Sequence, residues 1–195
     1  SMTDKLLIIF IRNPILGKVK TRLAATLGDQ RALDIYQKLL AHTRTITRDL
    51  TVDKVVYYSE FVDQQDSWDP AVYQKKLQTS GTLGDKMKAA FQRWFDSGYQ
   101  QVCIIGSDCR ELTSEIIVEG FKSLDQYQAV LGPSRDGGYY LLGLNQFRAE
   151  IFEGKQWSTD SVATDTLADF RSLGWRYSLL QPLNDVDEAQ DLLEL

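Results

Sequence analysis

Four aspartates and one basic loop are the residues in this chain best suited to chemistry. Asp108 follows the apolar run Val102-Cys103-Ile104-Ile105 after a sharp turn at Gly106 and Ser107. Such a run suits a strand buried on both faces of a parallel sheet. Ligands in open α/β sheets bind at the carboxyl ends of the strands, so an aspartate there can meet a cation or a reacting group. Its other reading is a helix cap, but Thr113, before SEIIVEGF, fills that place better. Asp185 and Asp187 lie in Asn184-Asp185-Val186-Asp187. Residues two apart in an extended segment face the same way, so the pair is expected to point together, with one joining Asp108 around a divalent cation. Carboxylate and phosphate oxygens suit Mg²⁺ or Mn²⁺. Asp187 also stands where it would cap the last helix. Asp136 sits in Gly132-Pro133-Ser134-Arg135-Asp136-Gly137-Gly138-Tyr139. Gly137 and Gly138 permit close ligand approach, and Asp136 can aim at the same cleft, although Asp-Gly is also an ordinary hairpin turn.

The basic loop carries Arg12, Lys18, Lys20 and Arg22 within eleven positions, with Gly17 as its one glycine. It joins a strand to a helix, where backbone N–H groups and the helix dipole favour anions. Arginine and lysine add charge-assisted bonds to phosphate. The loop is not a Walker A motif, because Val19 follows Gly17-Lys18 and Arg12 stands where the first glycine belongs. The dinucleotide pattern G-x-G-x-x-G is absent. His42 is the single histidine and falls in a helical stretch, which disfavours Ser-His-Asp hydrolysis and histidine zinc sites. Of the four tryptophans, Trp157 in WSTDSV lies on a loop near the inferred cleft.

The elements that must position these residues follow from periodicity. Lys5 to Ile11 reads as a first buried strand, stopped at Arg12-Asn13-Pro14. Helical spacing runs from Leu23 to Ile46, broken at Gly28, with Asp29 as the cap of a second helix. Lys54 to Ser59 reads as a second strand, Tyr73 to Leu77 as a short third, and Leu83 to Phe95 as a helix ending at Gly98. After the Val102 strand comes a helix from Ser114 to Leu124. Ala129 to Gly132 and Tyr139 to Leu144 are strands on either side of the glycine turn. Thr159 or Asp160 is expected to cap a helix running to Leu173, followed by a strand from Trp175 to Leu180 and a short helix from Glu188 to Leu193. Alternating strand and helix means α/β with a mostly parallel sheet.

At 195 residues, 43% hydrophobic and 25% charged, the chain fits one globular domain, residues 2–195. Ser1 before Met2 reads as a tag remnant. The net charge of −5 argues against nucleic acid as a main partner. It leaves room for a small anion held by local cations. Cys103 and Cys109 suit neither zinc nor a disulfide framework, which points to a reducing, cytoplasmic compartment. No apolar segment reaches the roughly 18 residues of a membrane span.

Taken in order, FIRNPILGKVKTRLA, LGDKMKAAF, IIGSDCREL, GPSRDGGYYLLGL and NDVDEAQDL resemble the bacterial glycosyltransferase-like proteins of the DUF2064 group. These are related to nucleotide-diphospho-sugar transferases of GT-A fold and to MobA-like and phospholactate guanylyltransferase-like enzymes. The resemblance spans residues 6–192. It implies a Rossmann-like, three-layer α/β/α domain binding a nucleotide or nucleotide-sugar donor for transfer to a small-molecule acceptor. Lys18, Lys20 and Arg22 would hold phosphates, Asp108 a metal ion, and Asp185 or Asp187 would be its second ligand. Two positions depart from the family pattern: Arg110 replaces a proline, and the late motif continues with Glu188 rather than threonine. Metal-dependent glycosyl transfer is the expected activity, since nucleotidyl enzymes carry a first loop richer in glycine. The alternatives are nucleotidyl transfer with pyrophosphate release and a non-catalytic nucleotide-binding protein. Oligomeric state is not legible.

Overall fold

Leu6, Leu7, Ile8 and Ile9 are fully buried, as a strand covered on both faces requires. The computed structural model describes residues 3–194. The strands are β1 (Lys5–Phe10), β2 (Asp53–Tyr58), β3 (Gln74–Leu77), β4 (Gln101–Ile105), β5 (Ala129–Pro133), β6 (Tyr139–Leu144) and β7 (Tyr177–Leu179). They form one sheet in the order β3-β2-β1-β4-β6-β5-β7. Every pairing is parallel except those of β6, which runs antiparallel to β4 and β5. Only the short Ser134–Gly138 turn separates β5 from β6, too little chain for a parallel crossover.

The helices are α1 (Thr21–Leu27), α2 (Asp29–Thr47), α3 (Leu83–Asp96), α4 (Ser114–Ser123) and α5 (Val162–Ser172). Successive strand residues point to opposite faces, and the core divides accordingly. Leu7, Ile9, Val56, Cys103 and Ile105 pack with α1, α2 and α4. Leu6, Ile8, Val55, Val102 and Ile104 pack with α3 and α5. This is the expected three-layer α/β/α domain.

Several ends differ from the sequence reading. Gly28, at φ 88°, both closes α1 and sits at the cap of α2, so Asp29 is the first helical residue instead of the cap. Neither Thr159 nor Asp160 caps α5; Ser161 precedes it without a side-chain capping bond, because the Thr159 hydroxyl donates to Gln156 O. The last helix is a 3-10 segment, Ala189–Glu194. Only three residues of the Trp175–Leu180 stretch pair as β7. Thr113 does cap α4, accepting from Ile116 N.

Helix α3 opens with a reciprocal capping box between Thr82 and Asp85. At its second residue, Gly84, a Cβ would fall 2.4 Å from Phe152 O and 2.7 Å from the Trp157 indole. The glycine of LGDKM therefore lets the Trp157 loop lie against the helix. Gly84→Ala is expected to destabilise the protein by about 1–3 kcal/mol through overpacking, measured by urea unfolding.

Candidate active site

In this topology the chain leaves β1 toward β2 on one side and reaches β4 on the other. The crevice outside their carboxyl ends is the switch point where α/β sheets bind ligands. The loops after β1, β4, β5 and β7 all open at this edge, and four local arrangements shape them.

Asn13 is 2% exposed and fastens the first loop to the segment after β2. Its carbonyl accepts from Glu60 N at 2.8 Å and Phe61 N at 3.2 Å, and its amide donates to Phe61 O at 2.9 Å. The residue read from sequence as a strand stop is thus a loop clamp.

Tyr36, on α2, reaches between β1 and β4. Its hydroxyl accepts from Arg12 N at 2.8 Å and lies 2.9 Å from Ser107 Oγ. Burial pushes its phenol well above the ordinary value, so it remains protonated.

Lys20, at the cap of α1, has φ 51° and ψ 47°. A non-glycine residue in the left-handed region is uncommon and marks a constrained position. Its side chain is 8% exposed, and its ammonium lies 2.9 Å from Asp108 Oδ1.

The segment after β7 folds back onto this centre. Leu183 N donates to Pro133 O at 3.1 Å, Arg135 N to Leu183 O at 3.0 Å, and Val186 N to Asp108 O at 2.8 Å. Asn184 N donates to Glu111 Oε1 at 2.6 Å. Gly137, at φ 98°, leaves only 2.2 Å between a built Cβ and Asp160 O, so the GPSRDGG turn also rests against the α5 approach. Gly138 N donates to Asp136 Oδ1 at 3.0 Å, which fixes Asp136 on that turn.

Asp185 is the carboxylate brought to Asp108. Its pKa is pushed up to about 7, first by burial and then by the negative charges of Asp108 and Asp136. Lys20 and the Ser134 hydroxyl draw it the other way. Ser134 is buried. Asp187 takes a different partner: its Oδ2 lies 2.6 Å from Arg22 Nη1, and Glu188 lies 3.4 Å from the same guanidinium. The expected alignment of Asp185 with Asp187 therefore fails. The segment is not a regular strand, and Asp191 draws Asp187 N and Glu188 N into the 3-10 turn.

Arg12 and Lys18 are exposed, and their side chains have no ion pair or hydrogen bond among the described residues. Lys20 and Arg22, by contrast, are engaged with acids. Arg110 is exposed. Burial pushes the Cys109 thiol up to about 12, which disfavours its thiolate. Trp157 is partly buried against Gly84. Asn13, Tyr36 and Ser134 are the site-building residues that sequence reasoning passed over. Asn13 directly after a strand was the available signal, whereas Tyr36 is indistinguishable from an apolar helix position.

As to the implied cation, no three His, Cys, Asp or Glu side chains among the described residues stand together as a ready cage. The donors present, Asp108 and Asp185 with the buried Ser134 hydroxyl, have the oxygen chemistry of Mg²⁺ or Mn²⁺. Such ions use few protein carboxylates and complete their shell with water and phosphate, so the residues fit.

The family model of uncharacterised proteins conserved in bacteria, DUF2064, matches residues 41–159. This chain belongs to the DUF2064 family. The matched segment contains the Ser107–Asp108 turn and the Asp136 turn, while the basic loop and Asp185 flank it. The structure is similar to that of a proposed nucleotide-diphospho-sugar transferase from Desulfovibrio desulfuricans G20. Identity is 30% over 98% of this chain and 85% of that one, with TM-score 0.90. It is also similar to a 4-diphosphocytidyl-2C-methyl-D-erythritol synthase from Anaerococcus prevotii DSM 20548, at 11% identity, 98% and 94% coverage and TM-score 0.60. A 2-C-methyl-D-erythritol 4-phosphate cytidylyltransferase from Thermus thermophilus gives 13%, 99% and 97%, and 0.54. The last two show the fold alone. No curated protein matches the sequence significantly. The DUF2064 chain thus has the nucleotide-diphospho-sugar transferase type of fold. No helix among its described residues is long and apolar enough to cross a membrane.

The raised pKa of Asp185 has a stability consequence with a definite sign. The folded state holds this proton up to about pH 7, whereas an unfolded aspartate loses it near pH ~4. Between those values the folded state binds more protons, so stability falls as pH rises. Asp185→Asn mimics the neutral form. It is expected to flatten that slope and to raise unfolding free energy at about pH 8 by on the order of 3 kcal/mol, read from denaturant titrations on the acid and alkaline sides of the transition.

Proposed function

We propose that this protein is a metal-dependent transferase using a nucleotide-activated donor, most readily a nucleotide sugar, with a small-molecule acceptor. One observation carries the reading. At the switch point the Lys20–Asp108 pair and Asp185 lie beside a loop that presents Arg12 and Lys18 with no acidic partner among the described residues. Arg12 and Lys18 are the cations free to take the donor phosphates. Asp108 and Asp185 would hold Mg²⁺ or Mn²⁺, which when bound supplies positive charge against the diphosphate leaving group. With Asp108 turned to such a cation, Lys20, now paired with it at 2.9 Å, would be available to the donor. The C1–O bond to the diphosphate breaks, the acceptor oxygen bonds to C1, and its proton passes to a base. Asp136, exposed on the GPSRDGG turn, is the carboxylate assigned that role. Most of the catalytic effect in such a site is positioning and electrostatic.

Nucleotidyl transfer is the second reading, favoured by the likeness of the fold to the two cytidylyltransferase-type enzymes. The first loop, with its single glycine, favours sugar transfer. Thermal unfolding of the wild type and Asp108→Ala against nucleotide sugars and nucleoside triphosphates, with and without Mn²⁺, tests both. A donor at about 100 times its dissociation constant adds roughly 2.7 kcal/mol. The expected outcome is a metal-dependent shift by one nucleotide sugar that Asp108→Ala abolishes. Pyrophosphate release from a triphosphate moves the assignment to nucleotidyl transfer, and no shift by any compound defeats both.

A further inference from the structure

We propose that the buried Tyr36 hydroxyl is a positioning group that aims the Ser107 hydroxyl, as a hydrogen-bond donor, at a phosphate of the bound donor. The inference rests on the phosphate reading of the site. Beyond β1 the strand ladder ends: Ile11 N donates across to Tyr57 O at 3.0 Å, and Arg12 N points to the other side, where β4 has already finished at Ile105. Tyr36 supplies the missing acceptor, at 2.8 Å from Arg12 N. The same oxygen lies 2.9 Å from Ser107 Oγ, in a buried residue pair.

The direction of that second bond follows from counting hydrogens. A phenol has one hydrogen, and Tyr36 has no further acceptor for it among its hydrogen bonds with the described residues. Were Ser107 the donor, the phenolic hydrogen would be buried and unmet, which costs the full desolvation of a polar group. With Tyr36 donating, the unmet hydrogen is instead that of Ser107, buried at 5% exposure but standing at the turn into Asp108 where a ligand can meet it, and the proposal takes this direction. Ser107 accepts, and its own hydrogen has no acceptor among the described residues. That hydrogen sits at the turn leading directly into Asp108, between the basic loop and the metal-fitting acids. An anion completes it. The three groups form a chain, Arg12 N–H to Tyr36 to Ser107, in which each bond polarises the next and strengthens the final donor.

The chain predicts coupling. Isothermal titration of inorganic pyrophosphate with Mg²⁺ would be run on the full chain as wild type, Tyr36→Phe, Ser107→Ala and the double variant, with the melting temperature of each recorded. Tyr36→Phe removes one oxygen and keeps the ring. Both single variants are expected to weaken pyrophosphate binding about tenfold or more. The double variant is expected to be no weaker than Ser107→Ala, since the two groups act as one. If Tyr36→Phe lowers the melting temperature but leaves pyrophosphate affinity unchanged, the tyrosine is only structural and the proposal fails. Additive losses also overturn it. If the wild type itself binds no pyrophosphate, the phosphate reading falls and the relay with it. Binding that is unaffected by either single variant overturns the relay alone.

Discussion

The contact on which this site depends is the ion pair between Lys20 and Asp108. Asp108 and Asp136 lie close enough to Asp185 for their charges to help raise its pKa, and like charges in a partly buried place repel more strongly than in water. A cation is required among them, and Lys20 is that cation. Its left-handed backbone, a conformation costing roughly 1–2 kcal/mol for a residue with a Cβ, is retained because the side chain is nearly enclosed at 8% exposure. Strain of this kind persists where the surroundings over-determine it, and it gathers at functional positions. The pair also explains why the basic loop is not uniformly available to phosphate. Lys20 and Arg22 are spoken for by acids, and Arg12 and Lys18 are not.

The remainder of the fold serves to bring these groups together from distant parts of the sequence. Residue 20 follows β1, residue 108 follows β4, residue 136 lies between β5 and β6, and residue 185 follows β7. No local motif could join them; the sheet order does. The antiparallel β6 matters here. It lets the β5–β6 turn open at the same edge as the loops of the parallel strands, so that Asp136 faces the others. The last segment acts as a strap, with backbone bonds that join Leu183 to Pro133 and Arg135, and Val186 to Asp108. Tyr36 and Asn13 perform the same service for the first loop from beneath and from the side.

Much of this was legible in the sequence because the relevant signals are short-range. Continuous apolar strands such as LLII announced burial on both faces, and their carboxyl ends announced the site. Asp108, the cation-rich loop and the GPSRDGG turn are the candidates read in that way. What could not be read were facts of three-dimensional pairing. The two-residue alternation that placed Asp185 beside Asp187 holds only in regular extended backbone, and the chain there is turning into a 3-10 segment held by Asp191. Which lysine would be buried, and which cations neutralised, depended on acids in distant parts of the chain, Asp108 for Lys20 and Asp187 for Arg22. Tyr36 read as an apolar helix residue because by burial it is one; only its hydroxyl, placed by the docking of α2, makes it different. The caps of α2 and α5 were missed because Gly28 works through backbone conformation and Ser161 uses no side-chain bond.

The overall charge of −5 is no obstacle to an anionic ligand, because binding is decided by the local field. At the switch point that field is mixed: free cations on the first loop, acids at the centre. A diphosphate placed against Arg12 and Lys18 would bring its own negative charge to within reach of Asp108 and Asp185. One ammonium, already engaged with Asp108, cannot neutralise both. Either the acids protonate, to which Asp185 is already inclined, or a second cation enters with the phosphate. The carboxylates and the buried Ser134 hydroxyl are oxygen donors that would suit Mg²⁺ or Mn²⁺, and an incoming phosphate would provide the remaining oxygens. Under the proposed function the donor phosphate would complete the set of oxygens, and charge balance is the reason metal and donor would bind together.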